Sequence, residues 1–310
     1  MLSKLFSFLG SGNQYSQMIW WFRRAIYLFI IWNTITLFPI ANELWGEAPH
    51  ILKNETQGIF RVLNLLSTEG LEYLYFPFSI LLIGACVTGI LGFYPRFTAI
   101  VVFFLTNNLI RKEMTITNGS HHLLLLMVFY LLFMDEKNTN PKVGQSELVE
   151  DLTIVQQEKE VFVLQSIKNS IKKYLKFLNN LLSNMSFWAA RFQFLLVYLT
   201  AGILKLTGEN WLNGNALYYI FRVEEYNHPW ALSWFGDHLL LLKTGTYFAL
   251  FYQLLFPVLI WIKPIRYPLL VAGILFHLSI AFVVGIPDFG FLMIVCYTLF
   301  VFNNASSKPI

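Results

Sequence analysis

The side chains in this sequence best suited to moving a proton sit in or beside apolar runs. Lys205 closes the run in "TAGILKLTGENW", residues 200–211; His121 and His122 open a second in "SHHLLLL"; His277 lies inside a third in "FHLSIAF". An amine in water has a pKa of about 10.4 and stays protonated at neutral pH, so a lysine that serves as a base must be kept short of water. Imidazole exchanges protons near neutrality without such help. The same residues have structural uses. A lysine at the end of a membrane span reaches toward headgroups, and a histidine inside a span is satisfied by a hydrogen bond between helices. His121 and His122 are adjacent, so on a helix they point about 100° apart and cannot share one ion. With no Cys or carboxylate at ligand spacing beside them, no metal site is expected. No Ser-His-Asp order, nucleophile elbow or phosphate-cradling glycine loop is present. Cys86 and Cys296 fall in apolar runs and read as small buried hydrophobes.

The elements that must position these groups are membrane helices. Of the 310 residues 56% are hydrophobic and 13% charged, and mean hydropathy is +0.55. Soluble domains carry about 25% charged residues, so lipid has to be the solvent for most of this surface. The net charge of +4 is scattered, with no basic stripe interleaved with stacking aromatics, which argues against nucleic acid as a partner. At about 20 apolar residues per crossing, about eight spans are expected: 19–41, 71–93, 97–111, 119–134, 187–207, 240–262, 267–285 and 288–303. Pro95, Gly119, Pro264 and Pro287 punctuate them. The Lys and Arg bias favours an N-in, C-in orientation, with Arg111 and Lys112 as dissenters. No cleavable leader is evident, so the first span is expected to be retained.

The expected architecture is an all-α polytopic helix bundle in one membrane domain, 1–310. Residues 1–134 form a first group of spans. Residues 135–186 form a cytoplasmic insert, and 187–310 form a second group with an interfacial loop at 208–239 containing Trp211, Trp230 and Trp234. Within the insert, Val163, Ile167, Ile171, Leu175 and Leu178 recur at helical spacing between Lys168, Lys172, Lys173 and Lys176. That pattern predicts a basic amphipathic helix lying on the anionic leaflet, with docking of a partner as the alternative. On this topology Lys205, Asn118, Ser120, His121 and His122 all fall near the outer face, with Asn107, Asn108 and Arg111, and His277 lies near mid-bilayer. Arg191, Tyr198, Gly202 and Lys205 share one helix face. A bundle has few reasons to gather polar groups there other than a wet or ligand-filled cavity.

The segment "RFQFLLVYLTAGILKLTGENWLNG" resembles a motif of the vitamin K-dependent gamma-carboxylase superfamily and its HTTM (horizontally transferred transmembrane) relatives, through Gln193, Tyr198, Ala201, Gly202, Lys205, Leu206, Trp211 and Gly214. "NGSHHLLLLMVFYLLFMD" is similar to the family's asparagine-histidine helix, and "FHLSIAFVVGIPDFGFLMI" to its Phe-His helix. The three blocks occur in the family's order. The resemblance implies that Lys205 is a general base toward a reduced, quinone-like lipid (a vitamin K hydroquinone or menaquinol-like molecule), with His277 as its catalytic companion. It implies that Tyr198, Gly202, Asn118, Ser120, His121 and Trp211 line the ligand site, Gly202 leaving room for a flat ring. In the carboxylases two lysines are consecutive; here the first is Leu204. Their histidine on the asparagine-rich helix falls, without a gap, on Ser120. The carboxylases continue into a large lumenal domain, whereas this sequence ends at Ile310, so carboxylation of a protein glutamate is expected to need a separate partner chain.

Two functions follow as expectations. One is a gamma-carboxylase-like membrane enzyme with an outward-facing cavity for a quinone-like lipid. The other is a membrane maturation or scaffold factor for an exported peptide or partner subunit. Expected partners are membrane lipid, a quinone, and such a peptide or subunit; the expected location is a bacterial cytoplasmic membrane.

Overall fold

A computed structural model of the chain describes residues 9–10, 12–41, 65–67, 72–112, 119–136, 159–223, 226 and 229–301. Among these the regular structure is helical, with no strand. Among the described residues the first group contains four α-helices: α1 (Ser16–Leu37), α2 (Tyr75–Ile90), α3 (Pro95–Lys112) and α4 (Gly119–Leu131). The long α5 (Lys159–Leu206) leads into three short helices, α6 (Glu209–Leu212), α7 (Ala216–Ile220) and α8 (Pro229–Phe235). The chain then runs through α9 (Leu239–Leu259), α10 (Lys263–Ser279), a π-turn (Ile280–Val284), α11 (Pro287–Cys296) and the short α12 (Thr298–Val301).

The boundaries follow from local chemistry. Pro95 and Pro287 stand in the first turns of α3 and α11, where a missing N–H costs nothing. The π-turn ends at Gly285, whose φ of 84° lies in the left-handed region that a side chain resists. Residues 159–201 contain neither Gly nor Pro, and nothing interrupts α5 for 48 residues, about 72 Å. The sequence reading divides this stretch at 187 into a helix on the leaflet and a span. The structure instead continues one into the other. About 20 residues suffice to cross hydrocarbon, so α5 is more than twice as long as one crossing needs.

Among the described residues three helices are long and apolar enough to cross a membrane: Ile167–Leu206, Leu239–Leu259 and Lys263–Val284. Tyr75–Ile90, Pro95–Ile110, Gly119–Leu131 and Pro287–Val301 are apolar but shorter. The 22 residues of α1 carry Arg23 and Arg24 in their first half. Large apolar side chains cover the outside, with Leu240 78%, Leu204 69% and Phe97 67% exposed. A surface of this kind belongs in lipid, and the protein is a membrane protein.

One continuous core joins α1 to α5 and α9 to α12, centred on Phe22, Ile26, Tyr27, Met127, Phe187, Phe194, Tyr198 and Phe256, each all but inaccessible. A small second cluster, Phe221, Ala231 and Leu242, packs α7 and α8 onto the start of α9. Hydrogen bonds fix one end of the bundle. Fully buried Arg23 donates to the carbonyls of Pro95 (2.8 Å) and Met134 (2.7 Å) and pairs through Nε with Glu136 (2.9 Å). Arg24 takes the other Glu136 oxygen at 2.7 Å. Asn179 donates to the Asp135 carboxylate at 2.6 Å, and Ser183 Oγ accepts from the Asp135 amide at 2.9 Å. Arg191 donates twice to the Leu299 carbonyl, at 2.8 and 2.6 Å, under a cover of Phe187, Trp188 and Phe300 rings. This network gathers the start of α1, the α2–α3 turn, the end of α4, the middle of α5 and α12. The candidate site residues from the sequence lie toward the bundle's other end or in its interior.

Candidate functional site

Lys205 stands on the last turn of α5, half-buried. Its Nζ lies 4.8 Å from the ring centroid of Trp211, which α6 folds back over it. The α5–α6 turn is closed by the Gly208 amide donating to the Lys205 carbonyl at 3.2 Å. A cation over an indole face gains about 0.5–1 kcal/mol at an exposed site, enough to orient the ammonium. Among the described residues no carboxylate pairs with it.

Gly202, one turn earlier, is buried, but not beside a vacant slot. A Cβ there would lie 2.8 Å from Leu254 Cδ2 and 3.2 Å from the Leu254 backbone nitrogen. The glycine's space is taken by close approach of α9, so it serves helix packing; the room expected there for a flat ring belongs to Leu254.

Tyr198 and His277 do meet. The hydroxyl of Tyr198, 1% exposed, lies 2.6 Å from His277 Nε2, and His277 is wholly buried. The same hydroxyl lies 2.6 Å from that of Tyr297, which lies 3.1 Å from that of Tyr252; Tyr252 donates to the Leu269 carbonyl at 3.1 Å. Four side chains from α5, α9, α10 and the end of α11 thus share their hydroxyl and imidazole protons inside apolar packing. Gly273 makes this possible. A Cβ on it would fall inside contact distance of both the Tyr252 and Tyr297 hydroxyls. Tyr252, Tyr297 and Gly273 were not singled out from the sequence, where tyrosines in apolar runs look like any aromatic wall. Only the one-turn offset of Gly273 before His277 hints at them.

Lys205 is seven residues beyond Tyr198, about 10 Å along the helix axis, so the amine and the buried cluster are separate places on one face of α5. Ser120 and His121, at the start of α4, form a third. Ser120 Oγ donates to Asp288 Oδ2 at 2.9 Å, tying α4 to the first turn of α11. His121 lines a cavity of about 30 Å³ with Asn33, Thr34, Thr106 and Ile110, away from His277. That volume suits a water molecule or two. The buried Thr106 hydroxyl, which faces it, has no hydrogen-bond partner among the described residues. Asn118 lies outside the described residues. The common hollow expected for all these groups is therefore resolved into distinct sites.

The larger space is an open groove of about 530 Å³ between α9 and α10, roofed by α7 and α8. Phe248, Ala249, Gly245, Ala272, Phe276 and Ile280 are among its walls, and among the described residues Ser279 is its one hydroxyl-bearing side chain. Lys205 and His277 do not line it. Phe276 is shared between the groove and the buried cluster, with ring centroids 5.0 Å from His277 and 5.4 Å from Tyr252. Lys205 is on the far flank: Leu254, which meets α5 at Gly202, is nine positions from Gly245 and so faces the opposite side of α9. The α6–α7 segment wraps from one flank to the other, with Tyr247 donating to the Leu212 carbonyl at 2.9 Å and Thr246 Oγ1 accepting from the Leu217 amide at 3.2 Å.

A family model, the HTTM domain, matches residues 152–304. The second half of the chain is thus an HTTM domain. No curated protein and no solved structure matches it. The HTTM domain contains Lys205 and Trp211, the Tyr198–His277–Tyr297–Tyr252 cluster and every wall of the groove; Ser120 and His121 precede it.

Proposed function

We propose that this HTTM protein handles a quinone-like lipid drawn from the bilayer, the groove holding its apolar tail and Lys205 acting as general base. The observation that carries the reading is the groove: about 530 Å³, walled by aliphatic and aromatic side chains, between two helices long and apolar enough to cross a membrane. At that position the surrounding solvent is acyl chain, so a lipid tail enters without leaving hydrocarbon. The residues fit an isoprenoid or acyl tail, since among the described residues no charged group lines the groove. Such a lipid, when reduced, supplies an acidic ring hydroxyl. On the protein's side, Lys205 Nζ receives a proton, Trp211 holds the amine in place, and the apolar end of α5 limits its hydration. The base assignment rests on the kinship of the sequence motif with the gamma-carboxylases and the tail assignment on the groove. The two lie on opposite flanks of α9, joined by the α6–α7 segment. Eight crossings with both ends cytoplasmic form the topology that accompanies this reading. It is supported by the excess of arginine at one end of the bundle over the end that carries Lys205.

The test is mass spectrometry of lipids retained by the gently solubilised protein. Wild type retains a prenylated or quinone-type lipid in near-stoichiometric amount. Ala249→Phe with Ala272→Phe, which narrows the groove from both walls, loses it. Equal retention by both proteins, or ordinary phospholipid alone in wild type, contradicts the reading.

A second reading, a maturation or scaffold factor for an exported peptide or partner subunit, is favoured by one observation. Along α5 every residue from 167 to 176 is exposed, including Ile167, Ile171, Tyr174 and Leu175 among the lysines. A partner subunit that co-purifies and is lost on Ile171→Glu with Leu175→Glu supports it.

A further inference from the structure

The buried hydroxyl chain has a direction. Tyr252 donates to the Leu269 carbonyl, an acceptor with no proton of its own to give. A phenol has one proton, so in the Tyr252–Tyr297 contact the donor is Tyr297. Tyr297 has then spent its proton, and the 2.6 Å contact with Tyr198 is closed by Tyr198 donating. Tyr198 in turn has none left for His277, so the remaining 2.6 Å contact is an Nε2–H of the imidazole donating to the Tyr198 oxygen.

We infer that this one-way chain fixes His277 as its Nε2–H tautomer and leaves Nδ1 as an unpaired, buried acceptor for a hydroxyl group. His277 has no solvent exposure, and its Nδ1 has no hydrogen-bond partner among the described residues. A buried acceptor facing no donor is costly, so a donor belongs there. The ring is packed by Phe276 and Phe289, whose centroids lie 5.0 and 5.9 Å away, and Phe276 is also a wall of the groove. Its surroundings are apolar rings, which favour a neutral O–H over an ion. Two sources share that chemistry, a trapped water and a hydroxyl of a groove lipid that reaches the ring by moving Phe276 aside, since His277 itself does not line the groove. The tautomer does not depend on the lipid reading; only the lipid source does.

The experiment is nitrogen-15 NMR of histidine-labelled full-length protein in nanodiscs, the His277 signals being those lost in His277→Gln. The expected spectrum shows a proton on Nε2 and an unprotonated Nδ1 shifted from its free position by a hydrogen bond. Tyr252→Phe, which removes the anchor on Leu269 with little change of shape, frees the chain to reverse, and an Nδ1–H form appears. Persistence of the Nδ1 shift after exhaustive delipidation supports water as the donor, and its loss supports a lipid hydroxyl. An Nδ1–H tautomer in wild type, a spectrum unchanged by Tyr252→Phe, or an Nδ1 at its free position before and after delipidation would each overturn the inference. Failure of the lipid-retention test with the Nε2–H form intact would remove the lipid reading alone.

Discussion

The two ends of the bundle use charge in opposite ways. At one end Arg23, Arg24 and Glu136 satisfy one another and the nearby backbone carbonyls, Asn179 holds the Asp135 carboxylate, and Arg191 is consumed by the Leu299 carbonyl. At the other, Lys205 has an indole face for company, and a groove of about 530 Å³ opens beside bare apolar walls. The contrast separates a fastening from a working surface. Charges committed to several carbonyls at once cannot leave without unravelling helix ends, whereas an amine resting on an aromatic ring can exchange partners at small cost.

Substitutions sharpen this contrast in graded steps. The largest effect is expected from Arg23→Met, which leaves Glu136, 7% exposed, facing Arg24 alone and frees the carbonyls of Pro95 and Met134. Breaking a buried pair costs about 3–5 kcal/mol, read as a lower melting temperature in detergent or nanodiscs. Gly273→Ala comes next, because the methyl group must displace two hydroxyls of the buried cluster. Overpacking of this kind costs about 1–3 kcal/mol, and Tyr252→Phe in the same chain should relieve part of it. Tyr297→Phe, which removes the central hydroxyl while keeping the ring packing, should cost about 1 kcal/mol. Lys205→Ala should be the mildest, about 0.5–1 kcal/mol from the lost cation–π contact. A melting temperature that falls further for Lys205→Ala than for Arg23→Met would erase the distinction between the two ends.

The sequence exposed the fold class and the family well, and the site only in part. Long apolar runs broken by proline give membrane helices by composition alone. Motif order gave the HTTM relationship that the family model over 152–304 bears out. Less legible was how the runs join. The uninterrupted helix-forming stretch from 159 to 201 made the expected boundary at 187 a point inside α5. Helical periodicity placed Tyr198 and Lys205 on one face, but periodicity carries no information on what another helix brings there. Leu254 occupies the space beside Gly202, and Tyr252 and Tyr297 reach His277's partner from two other helices. Depth in the bilayer likewise grouped His121 with His277, whereas lateral packing put His121 against α1 and α3.

The most direct test of the base assigned at the open end is optical. Wild type, Lys205→Ala and Lys205→Arg, reconstituted in nanodiscs without oxygen, are mixed at neutral pH with a soluble naphthohydroquinone, and the absorbance of its anion is recorded. Arginine keeps the charge and the contact with Trp211 but does not give up its proton. The account predicts a bound anion with wild type and none with either variant. Equal anion absorbance in all three proteins would contradict it, and Lys205 would then be only the headgroup anchor that its place at the end of α5 also allows.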